Sequence, residues 1–358
     1  MGGKRYRVAQ WATGHSGAHS LRRVIEHPDY ELVGVYVYAE TKAGRDAGEL
    51  CGAALTGVRA TRDIEDIVAA APDCVLYMPS RADVDDMCRL LESGADIVTI
   101  LADLHHPASL DPDVRRRIEA ACERGGTSLY ATGPSPGWVT EILPLALTAL
   151  QRRLDRLVIE EFGDMSARRS PEMITHMFGG DPSVVDLSGA ARSLSAAFAP
   201  SLRQLADALG LPLDDVTAVG TFASGTKTVT IDVATIEAGT VAAWRFEITG
   251  RRAGQPLLVF RSIWYVTRDL DADWDIRDNG WHVVVDGDAP LDLDIRFTGD
   301  RSSPVYTAQI CVNAVPAVYE APPGIRTTAD LRAIAARLHG GRPEAEQSPG
   351  VPANQGHA

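Results

Sequence analysis

"RVAQWATGHSGAHSLRRVIEHP", residues 7–28, opens as a short apolar run and breaks at Gly14 and Gly17. It continues with Ala18, Leu21, Val24 and Ile25 at helical spacing, until Pro28 ends the pattern. A strand that feeds a helix through glycines brings backbone amides to one point at a helix amino terminus, where an anion is held. Gly14 and Gly17 have the spacing of the last two glycines of a dinucleotide fingerprint, and Ala12 stands where the first belongs. Gly14 permits close approach of a diphosphate, Gly17 lets the helix pack on the strand, and Thr13, His15 and Ser16 complete the turn, the last two as donors. Ala12 is tolerated there provided its φ stays negative.

Outward from this turn, strand and helix alternate to about residue 150: "ELVGVYVY", "DIEDIVAAA", "DCVLYM", "ADVDDMCRLLESG", "DIVTIL", "DPDVRRRIEAACERGG", "TSLYAT". Continuous apolar strands between helices predict a Rossmann-type, doubly wound parallel sheet covered on both faces, over residues 1–150. Over residues 151–310 the pattern changes. "RLVIEEF" is followed by the long helix "LSGAARSLSAAFAPSLRQLADALG". Alternating runs come next, with a turn inside "ITGRRAGQPLLVF". This half predicts an α+β domain with a mostly antiparallel sheet. Residues 311–340 are expected to pack back on the first domain. The polar, Pro- and Gly-rich residues 341–358 are expected to be a disordered tail.

The formal net charge of −13 argues against a nucleic-acid surface and against an anionic membrane face. Five scattered cysteines without a CxxC pair read as thiols in a reducing cytosol. "MGGKRYRVAQW" leaves no room for a signal peptide, and the longest apolar stretch is too short for a bilayer span, so a cytoplasmic location is expected.

In an open α/β sheet, ligands lie beyond the carboxyl ends of the strands. After the second strand, Glu40 is positioned for ribose hydroxyls, while Lys42 and Arg45 are near enough to grip a 2′-phosphate. NADP is the favoured cofactor, with NAD as the alternative. Pro79 and Ser80, in "YMPSRAD", are expected on the nicotinamide-ribose side. "TILADLHHP" offers Asp103, where partial removal from water would suit a carboxylate to proton transfer; capping a turn is its alternative role. His105 and His106, adjacent on a loop, lack metal-ligand spacing, and no metal site is expected. "YATGPSPGW" places Ser135, Pro136 and Trp138 near the junction of the two halves. His176 and the tryptophans Trp244, Trp264, Trp274 and Trp281 are candidates for an apolar substrate pocket.

The segments "QWATGHSGAHSLR", "HPDYELVGVY", "KAGRDAGELCG", "GPSPGWVTEILPLAL" and "VNAVPAVYEAPPGI" carry a likeness to a known group. The chain resembles the amine dehydrogenases related to 2,4-diaminopentanoate dehydrogenase, which have a dihydrodipicolinate-reductase-like N-terminal domain. The resemblance extends to about residue 335. It implies a homodimer that carries out reversible NAD(P)-dependent oxidative deamination of a small amine, or in reverse reductive amination of a ketone or aldehyde by ammonia. It also implies that Asp103 occupies the position of the family's catalytic glutamate. The rival readings are a carbonyl or imine reductase without ammonia chemistry, and a nucleotide-binding protein without turnover.

Overall fold

The computed structural model describes residues 4–168, 170–298 and 303–337; the tail expected at 341–358 lies outside them. The first half builds β1 (Tyr6–Trp11), α1 (His15–Glu26), β2 (Tyr30–Tyr36), α2 (Ala47–Cys51), β3 (Ala60–Thr61), α3 (Ile64–Ala69), β4 (Cys74–Tyr77), α4 (Val84–Glu92), β5 (Asp96–Thr99), α5 (Pro112–Gly125) and β6 (Ser128–Ala131). Every strand pair in this sheet is parallel, and the order runs β6-β5-β4-β1-β2-β3. The order reverses between β4 and β1, which opens a crevice at their carboxyl ends. Strands β4, β5 and β6 are buried at every residue, as helices on both faces require.

A π-helical turn (Trp138–Ile142) leads through α6 (Leu143–Thr148) into β7 (Leu154–Asp164), α7 (Pro171–Met177) and α8 (Leu187–Ala208). Then follow β8 (Asp215–Ser224), β9 (Val229–Ile231), β10 (Ala234–Ile236), β11 (Val241–Arg252), β12 (Gln255–Tyr265), β13 (Gly280–Gly287) and β14 (Leu291–Arg296). The second sheet is six-stranded in the order β14-β13-β7-β12-β11-β8 and antiparallel except between β7 and β12. Its inner face is covered by α8, whose Phe198 stacks on Phe260 with ring centroids 4.1 Å apart. Leu202 and Leu205 of α8 are fully buried there, each worth about 1.5–3 kcal/mol of transfer free energy.

The chain then returns to the first sheet. Helix α9 (Ser303–Tyr319) packs against α1 and buries Cys311, Val312, Ala314, Val315 and Val318 beside β4 and β5. Strand β15 (Gly324–Arg326) pairs with β6 in parallel as the seventh strand. Four of the five cysteines are buried free thiols, and Cys51 is half-buried. Among the described residues no helix is long and apolar enough to cross a membrane.

Candidate active site at the carboxyl edge of the parallel sheet

The amino end of α1 differs from its neighbours. Helices α2, α3, α4 and α5 are capped by the carboxylates of Asp46, Asp63, Asp83 and Asp111. Helix α1 begins at Gly14 without a side-chain cap and without an acidic residue in its first turn, so its first amides remain free for an outside anion. A Cβ on Gly14 would meet nothing within 4 Å, which leaves the approach open. A Cβ on Gly17 would lie 2.2 Å from the Ala12 carbonyl oxygen, so only glycine lets the helix sit this close to the turn.

Ala12 itself departs from expectation, with φ at +70°. Its amide donates to the Tyr36 carbonyl, and its own carbonyl accepts from Gln10 Nε2 at 3.0 Å, so the chain is fixed on both sides of the strained residue. The fully buried Gln10 also donates to Leu76 O at 3.3 Å and braces the turn across the switch point. Lys42 reaches back from the end of β2, and its Nζ donates to Thr13 O at 2.8 Å and Thr13 Oγ1 at 3.1 Å. Beside them Trp11 stacks on Tyr36, centroids 3.7 Å apart, and its Nε1 donates to the half-exposed Tyr38 hydroxyl.

Past β6, a cavity of about 160 Å³ lies between Pro134 and Ser135, the end of β7, Trp264, Trp281 and the start of α9. Its acid is Glu161. Oε1 accepts from Trp264 Nε1 and Oε2 from Trp281 Nε1, each at 2.9 Å. Strand alternation puts Glu161 in the phase of the buried Leu157 and Ile159, while Glu160 turns outward to Arg261 and His282. Arg168 also lines this cavity, and its guanidinium makes no hydrogen bond or ion pair among the described residues. Burial pulls Arg168 below the usual arginine range, offset in part by Glu161. His15 is lowered by burial, then by the charges of His19 and Arg168, which puts the glycine turn and this cavity within electrostatic reach.

A family model for the 2,4-diaminopentanoate dehydrogenase C-terminal domain matches residues 140–346. An amine dehydrogenase of Streptomyces virginiae is 32% identical over 340 residues, which cover 90% of this chain and 94% of that relative. The chain belongs to this family of amine dehydrogenases. It is accordingly an NAD(P)-dependent dehydrogenase. A 2,4-diaminopentanoate dehydrogenase of Acetoanaerobium sticklandii is 22% identical over 291 residues, 75% of this chain and 76% of the relative. The amine dehydrogenase structure from Mycobacterium smegmatis shares the fold, with a TM-score of 0.76 at 18% identity over 93% of this chain and 97% of that one.

The dehydrogenase does not gather all of its sequence-derived candidates in one place. Ser135 lines the Glu161 cavity. Pro136 and Trp138 are half-buried, and Trp138 packs behind Trp281 at 5.6 Å between centroids rather than lining it. His176, an exposed residue of α7, borders a separate groove on the far side of Trp264, while Met173, one turn earlier on the same helix, lines the cavity. Trp244 borders the same groove, and Trp274 packs in the cluster of Phe162 and Ile263.

Asp103 is exposed, so the partial removal from water expected of it is not found. It lines a wider cleft of about 1050 Å³ with Ser80, Leu101 and α8 residues. Pro79 is buried and Ser80 exposed, while Glu40 and Arg45 are exposed and Arg45 faces Glu49 at 3.5 Å. The two imidazoles next to Asp103 diverge. His105 Nδ1 meets Glu141 Oε1 at 2.5 Å, and Ser201 donates to the same oxygen at 2.7 Å; His106 Nε2 meets Asp207 at 2.9 Å. They fasten the loop after β5 to the π-helical turn and to α8, which holds the two sheets together at the site. Gln10, Glu161 and Arg168 were missed by sequence reasoning. An acid in the apolar phase of "LVIEEF" was the available signal for Glu161.

Proposed function

We propose that the protein interconverts a small primary amine and its ketone or aldehyde, with ammonia released or consumed, and that the amine is held at Glu161. The observation that carries this reading is the pinned carboxylate inside an aromatic-walled cavity that Ser135 also lines. Two indole N–H groups occupy one lone pair on each oxygen and fix the carboxylate, leaving its remaining lone pairs for an ammonium. Trp264, Trp281, Phe297 and Tyr306 supply apolar and cation-attracting walls.

The free amides of α1, the open face of Gly14, and Thr13, His15 and Ser16 fit a dinucleotide diphosphate, and Arg168 would face it from the second sheet. A bound nicotinamide supplies a hydride acceptor. In the oxidative direction the substrate carbon loses hydride, the nitrogen loses its proton to Glu161, and water replaces ammonia at that carbon. One ammonium ion and one proton are released per amine oxidised. We assign NADP in preference to NAD, supported by Lys42 at the glycine turn and by Arg45 nearby. A second reading gives the proton transfer to Asp103, favoured by its cleft at the ends of β4 and β5 beside Ser80.

The test is a panel of short primary amines with NADP and with NAD. Ammonia-dependent NADPH consumption is expected in reverse; consumption independent of ammonia sinks the amine chemistry. Lys42→Ala and Arg45→Ala are expected to weaken NADP more than NAD, and equal NADP binding by both variants removes that assignment. The homodimer implied by the family resemblance is checked by sedimentation.

A further inference from the structure

We propose that the Trp264 indole is a partition that sets substrate length, closing the amine cavity off from an apolar groove built to extend it. The inference rests on placing the amine at Glu161. Trp264 is the wall that the two spaces share: the cavity of about 160 Å³ on one side, and a groove of about 620 Å³ on the other. The groove is formed by Trp244, Phe246 and Val241 of the second sheet against Val185, Ala190 and Leu194 at the amino end of α8. Its rim residue Val184 is 78% exposed.

The indole is held in this dividing position from three directions. Its Nε1 donates to Glu161. Its edge meets Phe246, with centroids 6.4 Å apart at 64°. Its Cδ1 lies 2.6 Å from where a Cβ on Gly163 would be, so glycine on the neighbouring strand is what lets the ring lie flat on the sheet. An apolar cavity of about 150 Å³ takes a molecule of benzene size, so the space on the Glu161 side of the indole takes an amine of roughly six non-hydrogen atoms. Longer chains run into the indole. With the indole removed, each further methylene enters the groove, worth roughly a fourfold gain in affinity.

The experiment compares n-propylamine with n-octylamine on the wild type, Trp264→Ala, Trp264→Phe and Gly163→Ala. Two readouts are taken: kcat/KM with NADP, and the calorimetric Kd of each amine for the NADP-saturated protein. The wild type is expected to favour propylamine at least tenfold. Trp264→Ala loosens Glu161 and lowers both rates, yet shifts the octylamine-to-propylamine ratio at least tenfold toward octylamine. Trp264→Phe keeps a ring in place and holds the wild-type preference. Gly163→Ala pushes the indole off the strand and shifts the ratio without touching Trp264 itself, which covers the case in which Trp264→Ala fails to fold. A wild type that accepts octylamine as well as propylamine overturns the partition. So does an unchanged preference in both Trp264→Ala and Gly163→Ala. A wild type that neither binds nor oxidises any short amine overturns the placement at Glu161, and this inference with it.

Discussion

Asp103 and Glu161 both border the junction of the sheets, and they are built differently. Asp103 stands exposed on a 3-10 turn after β5 and makes no hydrogen bond or ion pair among the described residues. Glu161 sits at the end of β7 with each oxygen fixed by an indole. A flexible, hydrated carboxylate must be desolvated and oriented when the substrate arrives, whereas a pinned one is already arranged. The difference is most sharply drawn by a pair of substitutions. Glu161→Gln is expected to lower kcat/KM for amine oxidation by about two to three orders of magnitude with dinucleotide Kd unchanged. Asp103→Asn is expected to lower it less than about tenfold. Steady-state rates and calorimetry on both variants decide; the reverse ranking moves the proton transfer to Asp103.

Strand β5 carries its desolvated acid at the other end. Asp96 is buried, its Oδ1 accepts from Ser128 N at 2.7 Å, and burial with the nearby Asp73 charge raises it from 3.8 to about 7. A perturbed acid marks a functional site only where a ligand can reach it, and the amino edge of a parallel sheet is not that place. The native carboxyl keeps its proton between pH 3.8 and about 7 while the unfolded chain releases it, so stability falls as pH rises through that window and levels off above it. Asp96→Asn keeps the acceptor for Ser128 and removes this loss. It is expected to gain about 4 kcal/mol over wild type at pH 8 and nothing near pH 3, at unaltered activity. Denaturant unfolding at the two pH values checks this. A constant difference between them refutes the linkage.

How far these regions could be read from sequence follows from the range of the interactions that define them. The parallel sheet was legible because apolar strands, glycine breaks and helical spacing are local signals; "DCVLYM" and "DIVTIL" became β4 and β5 with little change. The parallel pairing of β7 with β12 was not, since it joins residues about a hundred positions apart and no turn signal records it. Asp103 drew attention because its strand end is visible in one line of sequence. Glu161 needs Trp264 and Trp281 from two other strands before it becomes a site. Arg168 is legible only when the loop after β7 is seen facing His15. Arg168→Met is therefore expected to weaken dinucleotide binding about tenfold and to reduce its salt dependence, with the amine Kd little changed. Titration at two ionic strengths separates this from a role in the cavity, where the amine Kd alone would move.

The smallest effect tests the glycine turn itself, where sequence and backbone disagree most. Ala12 holds a φ of +70°, a region in which a Cβ crowds the following carbonyl at about 1–2 kcal/mol. The strain persists because Gln10, Tyr36 and the close packing of Gly17 fix the atoms on either side. Ala12→Gly relieves it, but frees the unfolded chain and removes a methyl from the cluster around Ile67, Val75 and Tyr77. The net gain expected is about 0.5 kcal/mol, read as a rise of one or two degrees in Tm, with dinucleotide affinity equal to or slightly better than wild type. A loss of stability larger than about 1 kcal/mol would mean that the buried methyl outweighs the strain. The alanine would then be a packing residue in its own right and not merely a tolerated substitute for the first glycine.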